Sequence, residues 1–265
     1  MEFLEYFIYN IAPALAAGSG AVFADTDLLI NKYDFIFKRT IHRATSDLIL
    51  MRLFNPDTSK YLSKGTDDLR HISGTSLTGI TSYGFAPYNW HLPYRVKGNT
   101  RITASLSDNS GAPNQLYLAY HGDNVLQVAP LDMHSEPVDY TKDRSGKIKV
   151  EPILYESPSI TTGAAVGAEA QGTIHIDETD FVCTKITGVS TGTGFVKILD
   201  ERRNLAWQNQ KTHVQNLFGN GQFPNMLTSP RFVGKKTPLL ITFENLVGGA
   251  NTLKLTLHGY KRGGN

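Results

Sequence analysis

Apolar and polar residues alternate with period two on both sides of a short polar break at two places in this chain. Ile102, Ala104 and Leu106 precede the break Asp108–Pro113, and Leu116, Leu118 and Tyr120 follow it. Leu239, Ile241 and Phe243 precede Asn245–Ala250, and Leu253, Leu255 and Leu257 follow that break. Such alternation puts every second side chain on one face, so each stretch predicts an antiparallel hairpin with one buried side. Shorter apolar runs predict strands at Glu5–Ile11, Leu28–Phe37, Asp47–Phe54, Thr173–His175, Phe181–Val189 and Gly194–Leu199, with Val125–Leu131 as a further candidate. Asn55-Pro56-Asp57 and Asp200–Asn204 predict turns closing matching strands, and Gly192-Thr193-Gly194 predicts a hairpin turn between Val189 and Phe195. Helical periodicity is scarce. The expected class is all-β, with two tandem antiparallel β-sandwich domains of jelly-roll-like form.

The two alternating stretches belong to a repeat. Residues 84–122 lie without a gap over 221–259: Gly84 matches Gly221, Pro87 matches Pro224, Pro93 matches Pro230, Asn114 matches Asn251, and His121-Gly122 matches His258-Gly259. The front halves match more loosely, Ile8, Pro13 and Gly18 answering to Ile153, Pro158 and Gly163, and Asp25-Thr26-Asp27 to Glu178-Thr179-Asp180. Duplication explains this, and it divides the chain into a first unit at 1–123, a linker at 124–149 and a second unit at 150–265. Leu116, Leu118, Leu253 and Leu255 are the expected core. Proline at 87, 93, 224 and 230 cannot donate to a ladder, so those stretches are expected as loops or edge segments.

Composition adds bounds. A chain of 265 residues with 40% hydrophobic and 19% charged residues is globular, and its net charge of +2 is too mild to imply a nucleic-acid partner. Cys183 is the only cysteine, which excludes an intrachain disulfide framework, and its apolar neighbours predict a buried, inert thiol. The apolar stretch Phe3–Ala17 ends in small residues like a signal peptide. Glu2 and Glu5 take the place of a basic start, however, and the stretch has a counterpart at 152–163, so it is expected as the first strand. No run approaches the roughly 18 apolar residues of a bilayer span.

Candidate chemistry is weighed against the repeat: a residue shared by both units serves the shared fold, and one present in a single unit needs its own reason. His121 and His258 are shared, without a nucleophile signature in either unit, and are expected to be structural, bonded to backbone at a strand end. Asp25, Asp27, Glu178 and Asp180 lack the spacing of a calcium loop and are read as turn chemistry. His71, His91, His134 and His213 show no metal-ligand spacing. Gly163–Ala168 lacks the Lys-Ser/Thr pair of a phosphate loop. No catalytic, cofactor or metal residue is therefore assigned. In the aromatic stretch Phe85–Tyr94, Trp90 aligns with Leu227 and is read as core. Tyr88 aligns with Asn225 and Tyr94 with Arg231, so these tyrosines are not demanded by the fold; Tyr88, His91 and Tyr94 are the candidate interface residues.

Pro13–Gly18, Asp25–Asp27, Gly84–Pro87, Leu92-Pro93 and the closing Leu253–Lys261 together resemble small structural proteins of tailed bacteriophages. The resemblance implies a non-enzymatic virion component, assembled in the host bacterial cytoplasm, that decorates or cements the capsid or sits at the neck or tail. It would bind other virion proteins and form a homo-oligomer on the particle, without nucleic acid or membrane as partner. The first unit departs from the pattern by ending Gly122-Asp123-Asn124 and by a longer Phe35–Leu50 segment. A carbohydrate-binding adsorption module of a phage tail is the alternative; a glycan depolymerase would need two carboxylates flanking a cleft.

Overall fold

The computed structural model of the protein describes residues 2–16, 23–45, 49–56, 58, 60–61, 67–69, 73–77, 84–85, 87–127, 150–219 and 223–262. Most of the expected linker (128–149), Ala17, Gly18, His71, Gly221 and the end of the tail lie outside them.

The first unit contains β1 (Glu2–Ile11), β2 (Ala14–Leu15), β3 (Ala24–Leu29), β4 (Asp34–Ala44), β5 (Ile49–Asn55), β6 (Lys60–Tyr61), β7 (Asp67–Asp68), β8 (Gly74–Leu77), β9 (Gly84–Phe85), β10 (Tyr88–Val96), β11 (Arg101–Asp108) and β12 (Asn114–Gln127). The second contains β13 (Val150–Glu156), β14 (Ile160–Thr161), β15 (Glu169–His175), β16 (Phe181–Ser190), β17 (Gly194–Asp200), β18 (Leu205–Ala206) and β19 (Thr212–His213). After the single-turn helix α1 (Val214–Leu217) come β20 (Asn225–Val233), β21 (Pro238–Asn245) and β22 (Thr252–Arg262).

Each unit divides its strands between two sheets in the same order. In the first, β1-β12-β4 carries β10 on β4 and faces β3-β11-β5; in the second, β13-β22-β16-β20 faces β15-β21-β17. Every pairing between these strands is antiparallel except that of β4 with the short β8. Inward residues of both sheets fill each core. Phe7, Tyr9, Phe35, Phe37 and Leu118 meet Met51, Leu53, Ile102 and Leu106 in the first unit. Phe181, Leu253 and Leu255 meet Val196, Ile198, Leu239 and Phe243 in the second. Leu116, Leu118, Leu253 and Leu255 are all buried, as expected from the alternation.

The paired histidine and glycine have a backbone cause. His121 stands opposite Arg39 and Gly122 opposite Phe37, leaving Lys38 as an extra residue; Thr184 is left over in the same way between Cys183 and Lys185. At this bulge the strands approach so closely that a Cβ on Gly122 would lie 1.9 Å from the Ile36 carbonyl oxygen, and one on Gly259 1.9 Å from that of Val182. Only glycine fits there.

The partners of several strands differ from expectation. The terminal alternating pairs are not hairpins: β11 and β12 lie in opposite sheets, as do β21 and β22, so each break is an arch that crosses the core. Buried side chains hold both arches, with Asn114 donating to Asp108 (3.1 Å) and Asn245 donating to the Gly249 carbonyl (2.8 Å). Gly192–Gly194 is likewise a crossing between sheets, because β16 and β17 do not pair. Leu28–Phe37 is two strands, β3 and β4, in different sheets. Alternation marks a strand with one buried face, and both sheets of a sandwich bury one face against the same core.

Register also corrects the looser half of the repeat. Phe7 and Ile153 occupy equivalent positions opposite Gly122 and Gly259, so Ile8 answers to Leu154. Leu28 opposite Ile102 answers to Ile174 opposite Leu239, which sets Asp25–Asp27 against Gln171–Thr173 rather than Glu178–Asp180. The true acidic match is Asp34 with Asp180: each accepts a backbone N–H from the loop before the next-to-last strand, Gly98 (2.9 Å) and Lys235 (2.8 Å). The segment expected to be longer in the first unit exceeds its counterpart by one residue, 35–49 against 181–194.

Candidate functional site

The most elaborate polar arrangement in the described residues is the seam between the units. Alternation along β1 sends Phe7, Tyr9 and Ile11 into the first core and turns Tyr6, Ile8 and Asn10 outward. The second unit buries that outer face: Tyr6, Ile8, Ile41 and Ala119 belong to the same apolar cluster as the second core. The free edge of β1 is paired too, with Ile8 N donating to the Trp207 carbonyl and Asn209 N donating to the Ile8 carbonyl, both at 3.1 Å. Asn10 donates to Thr212 Oγ1 (2.9 Å) and its carbonyl accepts from Gln210 (2.6 Å).

His121, fully buried, is the polar centre of the seam. Its Nε2 lies 2.9 Å from the Asn216 carbonyl, which can only accept, so Nδ1 is the atom that accepts the Tyr6 hydroxyl proton at 2.6 Å. Asn225 Nδ2 in turn donates to the Tyr6 oxygen at 3.1 Å. The relay runs from the second unit through the first and back again. Nearby, the Tyr117 ring stacks on His213 at 4.9 Å and meets Phe195 edge-on at 5.2 Å.

Charges flank this centre. Arg231, buried beneath Trp207, points a guanidinium nitrogen to within 3.5 Å of the Glu5 carboxylate and donates to the Tyr6 carbonyl. Arg203 reaches Glu5 at 3.1 Å and Asp200 at 2.8 Å. On the other side Asp123 accepts from Thr228 (2.6 Å) and Ser229 (2.9 Å) and pairs with Lys38. Burial shifts several groups. It lowers His121 to about 3, helped by the Arg39 charge, and lowers His213 to about 3, helped by Arg43. Burial lowers Arg231 to about 10, with Glu5 opposing the shift, and raises the Tyr6 hydroxyl. Both histidines are neutral at pH 7, and both ring nitrogens of His121 are engaged, so this histidine is a fixed polar joint between the units.

The residues singled out from sequence fall in different places. Tyr88 is exposed at the start of β10. Tyr94 is partly buried: it packs on the first core, and its hydroxyl accepts from Asn55 Nδ2 at 3.1 Å. His91 lies in β10 where the register with β4 shifts, and its side chain is outside the described residues. Tyr88 and Tyr94 therefore differ, one exposed and the other packed on the core. Trp90 packs on the first core as expected. Asp25 and Asp27 are not turn residues, for they sit in β3 and accept from Ser105 (2.5 Å) and Thr103 (2.8 Å) on β11. Cys183 is buried, and burial pushes its thiol up to about 12. His258 is half-buried, 2.7 Å from Thr187 Oγ1 rather than bonded to backbone.

The positions that differ between units are the informative ones, on the opposite side from that expected. Asn225 and Arg231, the counterparts of Tyr88 and Tyr94, are fully buried and hold the seam. The sequence signal was present: amide and guanidinium side chains standing in a strand where the related unit has aromatics. Among the described residues no group of three or more metal-ligating side chains occurs, and no helix is long and apolar enough to cross a membrane.

No family model matches the chain, and no curated protein matches it. A solved structure described as the PBSX exported protein XepA is 10% identical over 98% of this chain and 86% of its own, with a TM-score of 0.23. The CUB1-EGF-CUB2 domains of rat MASP-1 are 10% identical over 94% of this chain and 98% of their own, with a TM-score of 0.21. The tandem CBM22 domains of Paenibacillus barcinonensis Xyn10C are 6% identical over 98% and 94%, with a TM-score of 0.19. At TM-scores of this size none of the three carries an argument.

Proposed function

We propose that this protein is a non-enzymatic structural component of a phage virion, binding neighbouring capsid, neck or tail subunits as a decoration, cement or connector protein. The observation that carries the reading is the use made of the buried polar groups: Glu5, His121, Asp123, His213 and Arg231 all serve to lock one sandwich onto the other. A chain that uses its polar chemistry this way holds two surfaces at a set distance and angle, which suits a protein that works by presenting faces to neighbours. The motif resemblance of both units to tailed-phage structural proteins supports the same reading. The carbohydrate-binding alternative is left with Tyr88, since Tyr94 is turned to Asn55.

The test is quantitative mass spectrometry of purified particles, with immunogold labelling to place the chain. A fixed stoichiometry on intact virions is expected. Absence from particles overturns both readings, whereas binding of the pure protein to a glycan array that is lost in Tyr88→Ser overturns the structural reading in favour of an adsorption module.

A further inference from the structure

The repeat turns the seam into a prediction about a second surface. Within the chain, the flank of the second unit, made by Phe195 on β17, His213 on β19 and Asn225 on β20, sits on the outer face of β1, β12 and β4. The corresponding face of the second unit, on β13, β22 and β16, carries no such cover among the described residues. There Leu154, in the place of the buried Ile8, is 62% exposed, with Met226 at 51% and Val189 at 47% on the same face. A shallow depression of about 630 Å³ runs between Leu154, Lys185, Met226 and His258. Exposed large apolar residues gathered on one sheet face mark an interaction surface.

We propose that this face binds the first unit of a second copy of the chain, so that the seam within one molecule is repeated between molecules. The proposal rests on the reading of the chain as an assembly component and names the surface that self-assembles. It commits to a second copy because the first unit carries, on β10, the counterpart of the β20 strand that covers β1 within the chain. Inside the chain Asn225 meets Tyr6; at the repeated contact the equivalent positions hold the exposed Tyr88 and Pro152, an aromatic ring against a proline. Inside the chain His213 stacks on Tyr117, whose place on the second face is taken by Lys254, 48% exposed and 3.5 Å from Glu156. A heterologous contact of this kind closes into a ring or runs on as a filament.

Sedimentation velocity and light scattering of the purified full-length chain at micromolar concentration test the proposal without any particle, so failure of the virion reading leaves this result standing and the reverse. The wild type is expected to self-associate beyond a monomer. Tyr88→Ser and Leu154→Asp, both at exposed positions, are each expected to weaken association roughly tenfold or more with unchanged thermal melting. A wild type that stays monomeric at 100 times that concentration overturns the proposal, as does association untouched by Tyr88→Ser and Leu154→Asp.

Discussion

The outer faces of the two corresponding sheets differ although their core strands run in the same order. In the first unit Ile8, Ile41, Ala119 and His121 lie under the second unit; in the second, Leu154, Thr187, Thr256 and His258 take the same places, and Leu154 among them is 62% exposed. The same strand order, the same bulge and the same arches support both. Outward positions of a sandwich therefore report the neighbour, while inward positions report the fold. Asn225 and Arg231 illustrate this: the fold accepts tyrosine at the same sites in the first unit, and the neighbour's Tyr6 and Glu5 explain the change.

The comparison breaks most sharply at the bulge, which is common to both units. Gly122→Val and Gly259→Val are each expected to cost about 3–5 kcal/mol in urea unfolding, because the backbone carbonyl 1.9 Å from the new Cβ belongs to a paired strand and cannot move aside. If one substitution is tolerated, the two bulges are not equivalent.

Next comes the pair that defines the difference. Ile8→Ala is expected to cost about 2–5 kcal/mol, since it leaves a cavity under the seam, whereas Leu154→Ala measured at monomeric concentration is expected to stay within about 0.5 kcal/mol. Similar losses at both sites would mean that the second face is already covered in the single chain. Replacing Arg231 by Leu leaves Glu5 buried with Arg203 as its remaining charge partner, and is expected to cost about 3 kcal/mol. Tyr94→Phe, at the equivalent site, removes one hydrogen bond to Asn55 and is expected to cost about 1 kcal/mol.

Acid sharpens the comparison further. His121 and His213 are held at about 3 in the folded chain against 6.5 when unfolded, so the unfolded state binds their protons first. Their contribution is complete above about pH 6.5 and is lost progressively as pH falls towards 3. Melting temperature measured across that window is expected to decline, and His121→Gln to flatten the decline. An unchanged pH profile in that variant would show that the histidine is protonated equally in both states. The second-unit counterpart, His258→Gln, is expected to have the smallest effect of the series, because His258 is only half-buried.

Much of this protein was determined by its sequence alone. Period-two alternation and apolar runs located most of the long strands, though not β10 and β20, and the gapless match of 84–122 with 221–259 pointed to two units with the leucines at 116, 118, 253 and 255 buried. Both signals are local, since a strand with one buried face writes its pattern into its own residues. Tertiary structure alone decided which strands pair. β11 and β12 read as a hairpin because each buries one face, but they bury it from opposite sheets of one sandwich, and a polar arch looks like a hairpin turn along the chain. It also decided the role of outward residues such as Glu5, Tyr6, His121 and Arg231. Nothing in their own strands requires them to be buried, and what covers them is contributed by segments about 95–225 residues away in sequence.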